Sequence, residues 1–484
     1  MPSLRRRKHQ ARRSRRTTLK RGDRSTRSSR SHRRTPTGRR SRRRLGGGEA
    51  IASGAYGCVF KPALRCSGET SRPAAAARLV TKLGRASDLA DEFLTLQQVR
   101  ATLETIPNFR DYFVIDSVTA CTPAPLEDDD LRRFNDVCHN FTHPPASVRV
   151  LDASSVNQNL ELLSALTMPD GGQDLLEVLL SGGGLSAVEF QRLNLKLIEL
   201  LGEGIVPMNT AGLVHGDVKL ENVVAEVRLS ADGARVFERV RLIDWGSSVS
   251  GVNETPAALM GRPSKTGRFF INNLPPGSVF LHEDPVVLDR TLARASSSPT
   301  PRALTEYYYD GLVSHITATN PSQARVETEK ITTLTDFISK APSVRAMMFP
   351  HLMTIISQFY VRADKHLDVE RYVRTVYVKN CDVWGLLSVY GSLLTGGLDF
   401  EPPAAFTALA QTILNRFMYG VHYAAKPIDV PELVRHLLAL NTYVVVDVDE
   451  ARNTARKRER EGEGDGEGDG DGVSKQQRSA GADL

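Results

Sequence analysis

The chain has 484 residues, room for about three domains of ~150 residues or fewer large ones, and its 40% hydrophobic, 25% charged and 6% aromatic content is that of an ordinary globular protein. Its formal charge of +7 averages unlike parts: residues 1–44 hold 20 Lys/Arg against one acid, Asp23, for +19, and the remaining 440 residues carry −12. No stretch of about 18 uncharged apolar residues is present to cross a membrane, and the N-terminal charge is followed by no apolar h-region of a secretory signal.

Residues 1–44 are rich in Arg, Ser and Thr and nearly free of large apolar side chains. They cannot bury enough surface to offset the entropy of ordering, so disorder is expected there. Gly46-Gly47-Gly48 is a joint. Apolar alternation from Ile51 through Val59-Phe60, resumed at Leu79-Val80, predicts short strands. Leu89, Phe93, Leu96, Val99 and Leu103 recur at spacings of three and four and predict a helix over 88–104. Residues 106–150, with an acidic clump from Glu127 to Asp130 and Pro pairs, read as loop and insertion. Leu160 to Thr167 reads as a buried strand closed by Pro169-Asp170-Gly171-Gly172.

Ser186 followed by Glu189 is a capping box, and the helix it starts carries Phe190, Leu193, Leu197, Leu200 and Leu201 on one core face. Strands are predicted over 223–229 and 236–243, joined by a hairpin at Ala231-Asp232-Gly233. The chain then reads as irregular until about 300 and mostly helical from about 325 to 440. Residues 456–484 form a Gly/Glu/Asp-rich tail expected to be disordered. Strands early and helices late describe an α+β, two-lobed body between two tails. Five scattered cysteines (Cys58, Cys66, Cys121, Cys138, Cys381) include no C-x-x-C pair. The expectation is neither a disulfide framework nor a zinc finger, in a reducing compartment.

The segment that carries chemistry is His215-Gly216-Asp217-Val218-Lys219-Leu220-Glu221-Asn222. An Asp, a Lys two residues on and an Asn five residues on can converge on the phosphates of a nucleotide. The Asp can take a hydroxyl proton, the Lys can neutralise a transferring phosphoryl group, and the Asn can offer a carbonyl oxygen to Mg²⁺. Leu242-Ile243-Asp244-Trp245-Gly246 puts a second oxygen donor at the end of an apolar strand. Upstream, Ser53-Gly54-Ala55-Tyr56-Gly57-Cys58-Val59 is a turn whose small residues let backbone N–H groups approach phosphates. Lys82 lies on the following strand and Glu92 on the following helix, where it can clamp that Lys. Lys61 is a rival for Lys82, although Pro62 ends its strand; Asp91 and Glu104 are rivals for Glu92.

This order of Gly-rich loop, strand Lys, helix Glu, H-x-D-x-K-x-x-N and D-x-G resembles the protein-kinase signature set. The stretch Tyr56-Gly57-Cys58-Val59-Phe60-Lys61-Pro62-Ala63-Leu64 is similar to the loop of serine/threonine kinases of large DNA viruses, mimivirus- and pandoravirus-like. Met168-Pro169-Asp170-Gly171-Gly172-Gln173-Asp174-Leu175 and the segment from Arg268 to Phe280 resemble that group too. The resemblance implies a bilobal protein-kinase-like fold. Residues 49–175 would be the small β-rich lobe and 176–445 the helical lobe, with a large insertion at about 281–375; 1–48 would be the basic arm and 446–484 the tail. It implies an ATP- and Mg²⁺-dependent Ser/Thr protein kinase. Asp217 would be the base and Lys219 the γ-phosphate partner, with Asn222 and Asp244 as Mg²⁺ ligands. Lys82 would bind ATP phosphates and pair with Glu92, and Ala52, Gly54 and Gly57 would make the lid. Val59, Val80 and Val224 would sandwich adenine, with Met168 at the hinge. Asp382, in Asp382-Val383-Trp384-Gly385, would buttress the backbone of the Asp217 loop.

The chain departs from the pattern at Ala52, which stands where the loop has its first Gly, and at Gly216, which stands where an Arg usually pairs with a phosphorylated activation loop. It also lacks an Ala-Pro-Glu triplet. His-Gly-Asp with a downstream Asn and Ile-Asp-Trp also occurs in aminoglycoside- and choline-type kinases, so a small-molecule phosphotransferase is the alternative, with a pseudokinase scaffold as a third. Residues 1–44 are expected to bind nucleic acid or another polyanion without sequence specificity, through counterion release, or to act as a solvated tail or an import signal. The expected place of action is a host cytoplasm or nucleus, or the virion.

Overall fold

The computed structural model describes residues 48–444, except 55–56, 73, 145–147, 182, 232, 253–272, 282–299, 319–343 and 364–365. The expected arm and tail lie outside the described residues, as do Ala55, Tyr56 and Arg268 to Asn272.

Five strands form the first sheet: β1 (Glu49–Ser53), β2 (Gly57–Lys61), β3 (Leu79–Arg85), β4 (Thr119–Cys121) and β5 (Leu163–Pro169). Their order is β1-β2-β3-β5-β4, antiparallel throughout. Alternation along each strand gives the sheet two different faces. Cys58 and Phe60 on β2 and Thr81 and Leu83 on β3 are buried on one. Val59, Val80 and Lys82 point to the other, where Val59 lies opposite Lys82 and Val80 opposite Met168.

The buried face is covered by the region expected to be loop. It contains three one-turn helices, α2 (Asp128–Leu131), α3 (Phe134–Val137) and α4 (His139–Thr142). Phe134 stacks on Phe141 at 5.6 Å and meets Phe60 at 6.3 Å between ring centroids. These rings, with Leu83, Leu126, Leu151, Val156 and Leu163, form a small core of their own. Two disulfides are present: Cys58–Cys138 stitches the cover to β2, and Cys66–Cys121 ties the loop after β2 to β4; their partners are 80 and 55 residues apart. This overturns the expectation of no disulfide framework, and with it the argument for a reducing compartment. Partners so far apart leave no spacing signal; only the fold brings them together. Cys381 is the free, buried cysteine among the five.

Helix α1 (Ala86–Leu103) follows β3 directly and buries Leu89, Leu96, Val99 and Leu103. A second sheet, β6 (Gln173–Asp174), β7 (Val223–Leu229) and β8 (Arg235–Leu242), is built on the expected hairpin. The strand expected from Leu160 begins at Leu163, after a 3₁₀ turn at Leu160–Leu162. Around the second sheet lie α5 (Leu175–Ser181), α6 (Ala187–Glu199) and α7 (Val206–Thr210), the last two joined by a π-helical turn at Leu200–Ile205. The capping box at the start of α6 is formed: Glu189 N donates to Ser186 Oγ at 3.4 Å and Ser186 N to Glu189 Oε2 at 3.0 Å.

The remaining helices are α8 (Pro301–Ala318), α9 (Val344–Phe359), α10 (Val369–Tyr372), α11 (Val378–Gly396), α12 (Ala404–Leu414) and α13 (Val430–Tyr443). A short hairpin, β9 (Tyr360–Val361) and β10 (His366–Leu367), separates α9 from α10. Leu304, Tyr308, Met348 and Leu352 belong to the same continuous core as α6 and α11. The described helices of the stretch read as an insertion therefore pack into the body. No helix among the described residues is long and apolar enough to cross a membrane.

Candidate functional site

The turn between β1 and β2 closes on a backbone hydrogen bond from Gly54 N to Gly57 O at 2.8 Å. A Cβ at Gly57 would sit 2.7 Å from Leu83 O and 3.0 Å from Lys82 Cγ. The close approach of this turn to β3 thus requires a glycine. Ala52 is exposed at the edge, next to a register shift between Ala50 and Ala52.

Lys82 Nζ donates to both carboxylate oxygens of Glu92, at 2.7 and 2.8 Å, in a pair whose side chains are 15% and 11% exposed. Of the three rivals, two have other partners. Glu104 pairs with Arg100, and Lys61, at the last position of β2, pairs with Asp170 at 2.5 Å. The helix carrying Glu92 packs on the turn at Trp245–Ser247 that follows Asp244. Phe113 meets Trp245 edge-on at 5.6 Å, and Val114 N donates to Leu242 O at 3.0 Å. These contacts tie the Lys82–Glu92 pair to the end of β8 by packing; among the described residues no hydrogen bond joins it to Asp217.

The loop at 215–222 hangs from one buried carboxylate. Asp382, on α11, accepts from His215 N at 2.8 Å, Gly216 N at 2.8 Å and Asn209 Nδ2 at 2.7 Å. His215 is fully buried against Trp245, with Nε2 3.0 Å from Ile243 O. Gly216 has φ 73°, where a Cβ would be strained and would lie 3.1 Å from Ser247 O. Held this way, the loop presents Asp217. Its Oδ2 accepts from Lys219 Nζ at 2.8 Å and Asn222 Nδ2 at 3.0 Å, and the Asn222 amide also holds Asp217 O at 2.8 Å.

Asp244 is reached through the backbone, because Ile243 N donates to Asn222 O at 3.0 Å. It has φ 64° and is exposed, and its carboxylate has a 3.4 Å contact with Gly246 N. Asn222 spends its N–H groups on Asp217, which leaves its Oδ1 with no hydrogen bond among the described residues. An amide oxygen and a carboxylate held on neighbouring chain segments suit a hard divalent cation. Two oxygen donors are too few for a closed metal cage and would leave a bound cation's other positions to oxygens from elsewhere. No cluster of three or more His, Cys, Asp or Glu suited to a metal occurs among the described residues.

Val224 is 3% exposed, and its Cγ2 would lie 2.8 Å from a Cβ at Gly171, beside Val114 and Ile243. It sits on the second sheet opposite Arg241, while Val59, Val80 and Met168 share the outward face of the first. Asp174, paired with Val224 across β6 and β7, has its pKa pushed up by burial; the Glu177 N–H opposes this, and the charges of Glu177 and Glu221 add to it.

The sequence reading missed Asn273. It is 6% exposed and donates to Asp217 Oδ1 at 2.9 Å and to Val218 O at 3.1 Å. It lies 51 residues beyond Asn222, inside the segment from Arg268 to Phe280 that carries the resemblance, which assigned it no role. The chain matches no known family model, and no curated protein is detectably similar to it in sequence.

Proposed function

We propose that this protein is an ATP- and Mg²⁺-dependent protein kinase that phosphorylates Ser/Thr hydroxyls, with a bilobal protein-kinase-like fold. The carrying observation is the hydrogen-bonded set Asp217–Lys219–Asn222, one backbone step from Asp244. The Lys82–Glu92 pair supports it independently, since Lys82 Nζ bonds both carboxylate oxygens of Glu92. The sheet-rich first part and the helical remainder support the two-lobe reading.

In this reading Asp217 takes the proton of the substrate hydroxyl as its oxygen bonds to the γ-phosphorus. The bond to the bridging oxygen breaks and ADP leaves with the electron pair. Lys219, 2.8 Å from Asp217, stands where it can neutralise the transferring oxygens. Its place two residues after Asp217 favours Ser/Thr over Tyr as acceptor. Asn222 Oδ1 and Asp244 would hold Mg²⁺, which supplies charge neutralisation on the phosphates. Lys82 would grip the phosphates from the sheet side. Phosphorylation of the loop after Asp244 has no Arg at 216 to pair with, and the positive φ at Gly216 disfavours any side chain there, which supports a kinase not switched that way.

The test is transfer of labelled γ-phosphate from Mg-ATP to the protein itself and to a basic protein substrate. Wild type should label both and Asp217→Asn neither. Equal labelling by the two proteins would sink the assignment of Asp217. Turnover of small hydroxylated metabolites without any labelled protein would move the assignment to a small-molecule phosphotransferase. Absence of thermal stabilisation at saturating Mg-ATP would point to a scaffold.

A further inference from the structure

We infer that Asn273 is a positioning residue for phosphoryl transfer: it selects which oxygen of Asp217 receives the proton. The inference rests on the reading of Asp217 as the base.

A carboxylate offers about four lone-pair directions, two on each oxygen. On Asp217, Oδ2 is doubly engaged, by Lys219 and Asn222. Oδ1 accepts once, from Asn273 at 2.9 Å. Among the described residues one acceptor direction is left, and it is on Oδ1. The two asparagines bracket the carboxylate in the same manner. Asn222 bonds Oδ2 and the carbonyl of Asp217; Asn273 bonds Oδ1 and the carbonyl of Val218. Each amide thus fixes one oxygen relative to the loop backbone, and together they stop rotation about the Cβ–Cγ bond. A base held in one orientation avoids the cost of reorienting when the hydroxyl arrives.

The anchor behind Asn273 is stiff. Leu274 packs against the main core, and Pro276–Leu281 forms a buried 3₁₀ turn. Phe280 is wedged edge-on between Tyr308 at 4.7 Å and Tyr372 at 5.7 Å. Gly277 lies so close to Tyr372 that a Cβ would sit 2.1 Å from the phenol oxygen. The backbone that carries the amide therefore cannot move away from Asp217 without unseating this turn from α8 and α10. Helices of the stretch read as an insertion are in this way coupled to the proton-accepting atom.

The experiment uses full-length protein with Mg-ATP and a basic protein substrate. Asn273→Leu removes the donor at similar volume, and Asn273→Ser is small enough to fold yet too short to reach Oδ1. Both should lose about 10- to 100-fold in kcat, while KM for ATP and the thermal stabilisation by Mg-ATP stay within about twofold of wild type. Asn273→Gln, which keeps an amide donor, should recover part of the loss. Folded Leu or Ser variants with unchanged kcat would overturn the inference. So would a rise in kcat, because the amide would then be blocking the oxygen the hydroxyl needs. Parallel loss of kcat and of Mg-ATP stabilisation would reduce Asn273 to a structural residue and overturn it too. A wild type that binds Mg-ATP but labels no protein would overturn the kinase reading itself, and this inference with it.

Discussion

The sheet β1–β5 buries its inner face against a short segment of one-turn helices, whereas the helices from α5 onward bury theirs against one another in one continuous core. The first arrangement has few large side chains and two disulfides; the second has no disulfide and a dense aromatic interior around Trp384, Tyr372 and Tyr390. Small cores gain little from apolar burial and depend on covalent staples, while large cores do not. The proposed site draws on both parts. The Lys82–Glu92 pair comes from β3 and α1, and the Asp217 set hangs from α11 through Asp382.

The sharpest way to separate the two contributions is kinetic. Asp217→Asn, on the helical side, should lower kcat by about 10²–10⁴-fold with little change in KM for ATP. Glu92→Gln, on the sheet side, removes half of a charged pair and should raise KM for ATP by about 10- to 100-fold. If both variants changed the same constant, the division of labour would be wrong.

A thiol reductant should act on the sheet alone. Cys138→Ser, or reduction of the native protein, should cost about 2–4 kcal/mol of stability. Hydrogen exchange should speed up in β1–β5 and α2–α4 and stay unchanged in α11. Equal loosening of both parts would mean that they unfold as one unit.

Acid should do the reverse. His351, on α9, is fully buried beside Trp384, and its Nδ1 has no hydrogen-bond partner among the described residues. Burial lowers its pKa from 6.5 to about 4, against weaker upward effects of the Gly420 and Tyr419 backbone. The unfolded chain binds a proton below pH 6.5 that the folded chain refuses until about 4, so stability falls across that window by about 2–3 kcal/mol. Glu189 adds a second window. Burial alone would raise its pKa, but hydrogen bonds from Arg235 and from the Arg235 and Ser186 backbone outweigh it and hold the carboxyl at about 2 instead of 4.5. Its contribution is present above pH 4.5 and is lost as pH falls toward 2. Thermal melts across pH 7 to 3 should show the decline, and His351→Gln should flatten the upper part of it.

What the sequence made legible was local. The capping box at Ser186, the hairpin between β7 and β8, and the spacing within Asp217–Asn222 are set by residues a few positions apart. Lys82 and Glu92 were reachable because a strand followed directly by a helix fixes their relative place. The disulfides, the cover formed by α2–α4 and the bond from Asn273 to Asp217 Oδ1 were not legible. Each depends on partners brought together by tertiary packing over 55 to 80 residues. The stretch from about 281 to 375 reads as an insertion because of the length of chain between Asp244 and Asp382. Its described helices bury Tyr308 and Leu352 in the main core, a packing that length alone does not reveal.

The contact between Gly277 and the Tyr372 phenol has a genetic use. A methyl at position 277 must push the phenol or the turn aside, and the three atoms nearest to it all belong to Tyr372, none to Lys82, Asn222 or Asp244. Gly277→Ala is thus the natural place to seek a conditional allele: active at low temperature while the turn stays seated, and silent when warmed, with Mg-ATP binding retained at both. A variant that lost nucleotide binding and transfer together on warming would show that the turn supports more than the base.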